Sequence, residues 1–109
     1  ITDVIGADQA KLSDDGDAVR RWIGCSPEEN PALWDQLNPI NHLPTAPVLL
    51  IHGDKDVDVP KEQSDTYARI MSAKGTDVQK LWLPGDHYSL IDVASDDWLV
   101  ELDAILDWL

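Results

Sequence analysis

The sequence predicts an α/β fold in which parallel strands are flanked by helices. Residues 48–51, Val-Leu-Leu-Ile, form a continuous apolar run between a proline and a glycine, which is typical of a strand buried on both faces of a parallel sheet. Residues 78–83 are a second strand candidate. A helix opened by Pro60 and ended by Gly75 would join them into a βαβ unit, which crosses over right-handed in nearly all proteins.

Further helices are predicted before the first strand. Apolar positions three and four apart predict a short helix over residues 14–23, and Gly24 is a suitable residue to end it. The Ser-Pro-Glu-Glu run at residues 26–29 has the capping-box pattern, which predicts a second helix from there to Leu37. Asn38 precedes a proline, so that helix should end at this position.

The last segment predicts a C-terminal helix with one apolar face. Ser95 or Asp96 can cap its N-terminus. The residues predicted to be buried by this helix are Trp98, Leu99, Leu102, Ile105, Leu106 and Leu109.

Composition limits the classes of protein to which the chain can belong. With 109 residues, 43% of them hydrophobic, it fits one small globular domain or part of a larger one. No apolar run reaches the roughly 18 residues of a transmembrane helix. The 21 acidic and 8 basic residues give a net charge of −13, which repels nucleic acids and anionic membranes. Cys25 is the single cysteine, so neither a disulfide framework nor a cysteine-based zinc site is expected.

Two loops carry the residues that could perform chemistry. Asp56 follows the first predicted strand, and His87 follows the second. Because functional groups in open α/β sheets gather beyond the carboxyl ends of the strands, we expect these side chains to lie close together. A carboxylate that accepts a hydrogen bond from one imidazole nitrogen prepares the other nitrogen to take a proton from a serine.

The acid-bearing segment resembles a known family. Residues 46–64 read Ala-Pro-Val-Leu-Leu-Ile-His-Gly-Asp-Lys-Asp-Val-Asp-Val-Pro-Lys-Glu-Gln-Ser, with the pattern HG-x-x-D-x-x-V-P-x-x-Q-S, and residues 83–87 read Leu-Pro-Gly-Asp-His. Both segments resemble the prolyl oligopeptidase family, which includes acylaminoacyl and dipeptidyl peptidases. The resemblance implies an α/β-hydrolase fold with Asp56 as the triad acid and His87 as the base. Residues 26–31 and 38–40 are similar to the preceding segment in these peptidases and in related carboxylesterases.

The nucleophile of that family is missing from the chain. A serine within G-x-S-x-G is expected in such hydrolases, in the order Ser, Asp, His along the chain. The serines present are Ser13, Ser26, Ser64, Ser72, Ser89 and Ser95, and none has that setting. Because the first residue is Ile, we expect residues 1–109 to be the C-terminal part of a hydrolase domain whose nucleophile lies upstream. This part would supply acid and base only and would be inactive alone.

The expected function is that of a serine peptidase of the prolyl oligopeptidase type, favoured by the V-P-x-x-Q-S pattern. A carboxylesterase of the same fold is the main alternative. Neither needs a metal or an organic cofactor, and the substrate would be a peptide or an ester. A second class of function is a truncated, noncatalytic interaction module, in which the upstream part of the domain or a second copy of the chain covers the exposed sheet edge.

The aspartates after the first strand fit two other motifs less well. The alternating Asp54, Asp56 and Asp58 lack the glycine and glutamate of an EF-hand calcium loop. The D-x-D pattern at residues 56–58 is also found in haloacid-dehalogenase-type phosphatases, although there the first aspartate directly follows a strand. His42 is expected to be structural or exposed, and His52 to hydrogen-bond the backbone.

Overall fold

A parallel pair of strands forms the centre of the computed structural model, which describes all 109 residues. Val48 lies opposite Val78, and the register runs unbroken to Gly53 opposite Leu83. The helices and strands in chain order are α1 (Val4–Gln9), α2 (Ala18–Ile23), α3 (Pro31–Leu37), β1 (Val48–Gly53), α4 (Glu62–Ala73), β2 (Val78–Leu83) and α5 (Asp96–Trp108), with single 3₁₀ turns at Asp14–Gly16 and Pro39–Asn41. The prediction of an α/β fold with parallel strands and flanking helices is confirmed.

Helix α4 connects the strands and packs on them through one face. Tyr67, Ala68 and Met71 are buried there, with Met71 fully enclosed. These residues recur at the three-residue and four-residue spacing that places side chains on one side of a helix. The packing orients the two strands so that their carboxyl ends lie side by side.

A separate apolar cluster lies among the first three helices. Val4, Ala7, Val19 and Trp34 are buried together. The indole N–H of Trp34 donates to the carbonyl of Cys25 at 3.3 Å, so its one polar group is satisfied. These helices form a small core of their own beside the βαβ unit.

Two of the helix starts ahead of β1 differ from the sequence prediction. Helix α2 begins at Ala18 instead of residue 14, because Asp15 has a left-handed φ of 59° that interrupts the helical path. The capping box does form, since the N–H of Glu29 donates to Ser26 Oγ at 3.2 Å. It closes only a turn, because Asn30 precedes a proline and adopts an extended φ of −147°, and α3 starts after it.

Burial is lower than the sequence suggested. Residues 48–51 are half-buried instead of buried on both faces, because the sheet has two strands and little covers it. Ser95 caps α5 as predicted, accepting the N–H of Trp98 at 3.0 Å. Its apolar face is nevertheless open: Leu106 is 61% exposed and Leu109 is 92% exposed. Leu99 and Leu102 are exposed too. None of the helices has both the length and the apolar character to span a membrane.

Candidate active site

The loop after β1 fixes the carboxylate of Asp56 with backbone hydrogen bonds. Its Oδ1 accepts the N–H of Asp58 at 3.0 Å and that of Val59 at 2.8 Å. The side chain is only 5% exposed. An aspartate followed by a tight turn makes such bonds to the next backbone amides, and these leave Oδ2 free for another partner.

The loop after β2 presents His87 from a second such turn. The Oδ1 atom of Asp86 accepts the N–H groups of Tyr88 at 2.9 Å and Ser89 at 3.1 Å. The hydroxyl of Ser89 then donates to Asp97 Oδ2 at 2.7 Å, at the start of α5. The turn that carries the imidazole is therefore attached to the N-terminus of the last helix.

The two loops are joined directly to each other. The N–H of Asp54 donates to the carbonyl of Leu83 at 2.7 Å, and that of Lys55 donates to the carbonyl of Gly85 at 2.9 Å. The approach is close enough that a Cβ on Gly53 would lie 2.6 Å from the Gly85 carbonyl oxygen. Glycine at position 53 is therefore a requirement for bringing the loops together.

Asp56 and His87 meet at this junction. His87 Nδ1 lies 2.8 Å from Asp56 Oδ2, the distance of a charge-assisted hydrogen bond. Burial raises the pKa of Asp56, but the hydrogen bonds from the Val59 amide and from His87, together with the nearby His87 and His52 rings, outweigh it and lower that pKa below its ordinary value. The carboxylate is ionised at neutral pH and can only accept, so Nδ1 carries the hydrogen.

The other imidazole nitrogen faces open space. Nε2 of His87 has no hydrogen-bond partner within the chain, and 40% of the side chain is exposed. A cavity of about 470 Å³ borders the ring on the side of Val19, Trp22 and Leu37. A second cavity of about 460 Å³ borders it beside Leu50 of β1. In the neutral ring Nε2 holds a lone pair, so this atom can accept a proton from a group placed in that space.

Five of the six serine side chains have partners other than His87. Ser13 donates to the carbonyl of Asp58 at 3.1 Å, and Ser64 hydrogen-bonds His52 at 2.8 Å. Ser26 and Ser95 cap turns or helices, and Ser89 donates to Asp97. None of the six serines hydrogen-bonds His87, in agreement with the absence of G-x-S-x-G.

One ligating atom from each of Asp56, Asp58 and His87 lies within 4.8 Å of the others. These groups could hold a divalent cation, but both oxygens of Asp56 already accept hydrogen bonds. A cation would therefore compete with His87 Nδ1 for the carboxylate. Whether Asp58 lies near His87 could not be read from the sequence, because alternating aspartates in a loop do not reveal which way each side chain turns.

The other histidines lie outside the pair. His42 is exposed, and its Nε2 lies 2.7 Å from the carbonyl of Gln36. His52 is buried, and its Nε2 lies 2.7 Å from the carbonyl of Val59, which confirms the predicted backbone hydrogen bond. Its position beside Asp56 was missed, although its place in the HG pattern ahead of the acid was a signal that could have indicated it.

A known protein family is similar to the first part of the chain. A family model described as BD-FAE matches residues 1–71, which is more than half of the chain. The match includes β1, Asp56 and most of α4, and His87 lies beyond it. A search of curated protein sequences found no match. The wider prediction of an α/β-hydrolase is confirmed, whereas nothing in the match is specific to prolyl oligopeptidases. The chain belongs to the BD-FAE family of α/β-hydrolase-like esterase domains.

Proposed function

We propose that Asp56 and His87 are the acid and base of a Ser-His-Asp hydrolase that cleaves carboxylic esters. The observation that carries this proposal is the 2.8 Å contact between a nearly buried carboxylate and His87 Nδ1, in a ring whose Nε2 is unpaired and which borders a cavity. Membership of a family of esterase domains supports the choice of an ester.

The proposed reaction is acyl transfer. His87 Nε2 takes the proton of a serine hydroxyl as the serine oxygen bonds to the ester carbonyl carbon, and Asp56 stabilises the imidazolium that forms. The carbon–oxygen bond to the alcohol then breaks, and Nε2 returns the proton to the departing oxygen. A water molecule, deprotonated by the same nitrogen, hydrolyses the acyl-serine and restores the serine.

The serine is proposed to come from a segment outside residues 1–109, so that this chain is the C-terminal part of the domain. The cavity beside β1 borders His87, so a serine on a strand-to-helix turn at that side of β1 could approach the imidazole. The strand pairs only with β2, so one of its edges is free to pair with such a segment. The same edge could instead be covered by a second copy of the chain.

A peptidase is the second candidate, because the same triad cleaves amides. The V-P-x-x-Q-S pattern favoured it, but Gln63 and Ser64 have structural contacts here. Gln63 Oε1 accepts the N–H groups of Thr2 and Asp3, and Ser64 hydrogen-bonds His52. Neither side chain is free to select a substrate, so we place the ester first and the peptide second.

The test uses the complete domain, meaning residues 1–109 together with the segment proposed to carry the serine. We expect His87→Ala and Asp56→Asn each to lower kcat for a chromogenic ester by about 10⁴-fold, the scale known for triads. Asp58→Asn is the matched control, since its carboxylate makes no hydrogen bond, and it should lower kcat far less. Peptide anilides tested in parallel decide between esterase and peptidase.

Two outcomes would contradict the proposal. Undiminished ester hydrolysis in His87→Ala would remove His87 as the base. Equal losses in Asp56→Asn and Asp58→Asn would show that Asp56 is not the specific partner of the imidazole.

A further inference from the structure

His52 occupies a buried position directly behind the acid. It is the residue before the last of β1 and is only 7% exposed. Its Nε2 lies 2.7 Å from the carbonyl oxygen of Val59, and its Nδ1 lies 2.8 Å from Ser64 Oγ. Both ring nitrogens therefore have partners, one in the acid loop and one on α4.

These partners determine the tautomer of His52. A backbone carbonyl only accepts, so Nε2 carries the hydrogen that is donated to Val59. In the neutral ring Nδ1 then accepts the hydroxyl hydrogen of Ser64. The ring cannot rotate or change tautomer without leaving a buried polar group unsatisfied.

The N–H of His52 also approaches the catalytic carboxylate. Nε2 lies 3.5 Å from Asp56 Oδ2, the same oxygen that His87 Nδ1 meets at 2.8 Å. At 3.5 Å the contact is longer than a good hydrogen bond, so it acts by the attraction between the N–H dipole and the carboxylate. On the other side, Val59, whose carbonyl His52 holds, donates its own N–H to Asp56 Oδ1 at 2.8 Å.

We propose that His52 is a positioning residue of the hydrolase, acting on the reaction through Asp56. By fixing the Val59 peptide and attracting Oδ2, it sets the direction in which the carboxylate faces His87. The inference rests on the proposed function for its effect on turnover, but the geometry it describes can be measured without substrate.

The expected kinetic effect is on kcat and not on KM. His52→Leu fills the same space with an apolar side chain of similar size but removes the hydrogen bonds to Val59 and Ser64. It should lower kcat for an ester by up to about 100-fold, the loss caused by a small misplacement of a reacting group. KM should stay unchanged, because both ring nitrogens are engaged inside the protein and only 7% of the residue is exposed. Rates are divided by the fraction of active enzyme, titrated with an organophosphonate, so a loss of folded protein is not counted.

Two further variants separate positioning from packing. The side-chain amide of His52→Gln can donate to Val59 from the place of Nε2, so this variant should recover most of the lost kcat. Ser64→Ala removes only the contact at Nδ1 and leaves the approach to Asp56, so its kcat should change by less than about threefold, the scale of one partly redundant hydrogen bond. A role in folding alone would leave both His52 variants at the wild-type rate per active site, and a role in packing alone would make His52→Gln as slow as His52→Leu; either result would overturn the inference.

A spectroscopic measurement is independent of turnover. The proton shared by His87 and Asp56 gives a far-downfield ¹H NMR resonance when the two groups are held together. We expect this resonance to weaken or vanish in His52→Leu and to persist in Ser64→Ala. An unchanged resonance in His52→Leu would overturn the positioning role. If the wild-type domain shows the resonance but hydrolyses neither esters nor amides, the proposed function fails while the role of His52 stands.

Discussion

Asp56 and Asp58 are identical side chains two positions apart with different surroundings. Asp56 is 5% exposed and accepts three hydrogen bonds, from two backbone amides and His87. Asp58 contributes its own N–H to that arrangement, but its carboxylate accepts no hydrogen bond. The D-x-D phosphatase reading requires an aspartate at the strand end, whereas β1 ends at Gly53 and Asp56 is turned toward an imidazole.

The ion pair of Asp8 and Arg20 predicts a pH-dependent stability. The hydrogen bonds from Arg20, at 2.6 and 2.9 Å, outweigh burial and lower the pKa of Asp8 from its ordinary value. A carboxyl group with a lowered folded-state pKa stabilises the fold above its unfolded pKa of about 3.9 and loses that effect as the pH falls through the folded value. The destabilisation by Asp8→Asn should therefore be constant from about pH 5 to 7 and shrink below about pH 4.

Urea unfolding followed by tryptophan fluorescence at each pH measures this difference. Asp17→Asn is a control, because Asp17 is 54% exposed and pairs with a similarly exposed Arg21. It should change the free energy of unfolding less than Asp8→Asn does. A destabilisation by Asp8→Asn that does not vary with pH would show that the ionised carboxylate is not the stabilising form.

At the scale of the elements, the close approach of the two loops requires a residue without a side chain at position 53. Gly53→Ala places a Cβ against the Gly85 carbonyl, a backbone atom that cannot move alone. We expect a loss of about 1–3 kcal/mol in the free energy of unfolding, typical of overpacking, and a clear loss of ester turnover. Gly75→Ala is the matched control.

Gly75 has a φ of 95° but nothing near its Cβ position, so alanine there is strained without pushing the loops apart. Gly75→Ala should lower stability by about 1–2 kcal/mol and leave activity per folded molecule unchanged. Denaturation curves and kcat measured on the same preparations compare the two variants. An unchanged kcat in Gly53→Ala would contradict the prediction, because it would show that activity does not require the close approach of the two loops.

Local sequence patterns predicted the helices and strands correctly where each pattern is compatible with a single type of structure. The run at residues 48–51 and the stop at Gly75 led to the β1–α4–β2 unit, and chain order then placed Asp56 and His87 at the same edge. The predicted helix starts were wrong where two signals conflicted. The capping box at residues 26–29 predicted a helix that continues through Asn30, but Asn30 precedes a proline and is therefore extended. The contacts of His52 could not be predicted, because they depend on how the loop folds back over the strand.

At the scale of the molecule, apolar surface is left uncovered. The predicted apolar face of α5 exists, yet Leu99 is 59% exposed and Leu106 is 61% exposed. The packed cluster lies elsewhere, among α1, α2 and α3. The sequence could not reveal this, because periodicity shows that a face is apolar but not what covers it.

This surface predicts that residues 1–109 by themselves associate. Light scattering should show a mass above that of the monomer that rises with concentration, since contiguous apolar patches are buried by contact. Leu99→Glu combined with Leu106→Glu should reduce the association. Val57→Glu is the control, because Val57 is even more exposed, at 89%, but lies in the loop after β1 and not on α5. A monomer that unfolds cooperatively at every concentration would contradict the prediction.

The direct hydrogen bonds between the two loops have a consequence for engineering. The contacts that join the two loops and bring the carboxylate to the imidazole lie within residues 53–87, and the turn that carries His87 is also attached to α5 through Ser89 and Asp97. The proposed acid–base pair is therefore assembled by the βαβ unit and the start of α5, without any hydrogen bond from α1, α2 or α3 to the two side chains. A protein engineer could move residues 48–97 as one unit into another scaffold, which would then have to supply the serine and the hydrogen-bond donors for the oxyanion.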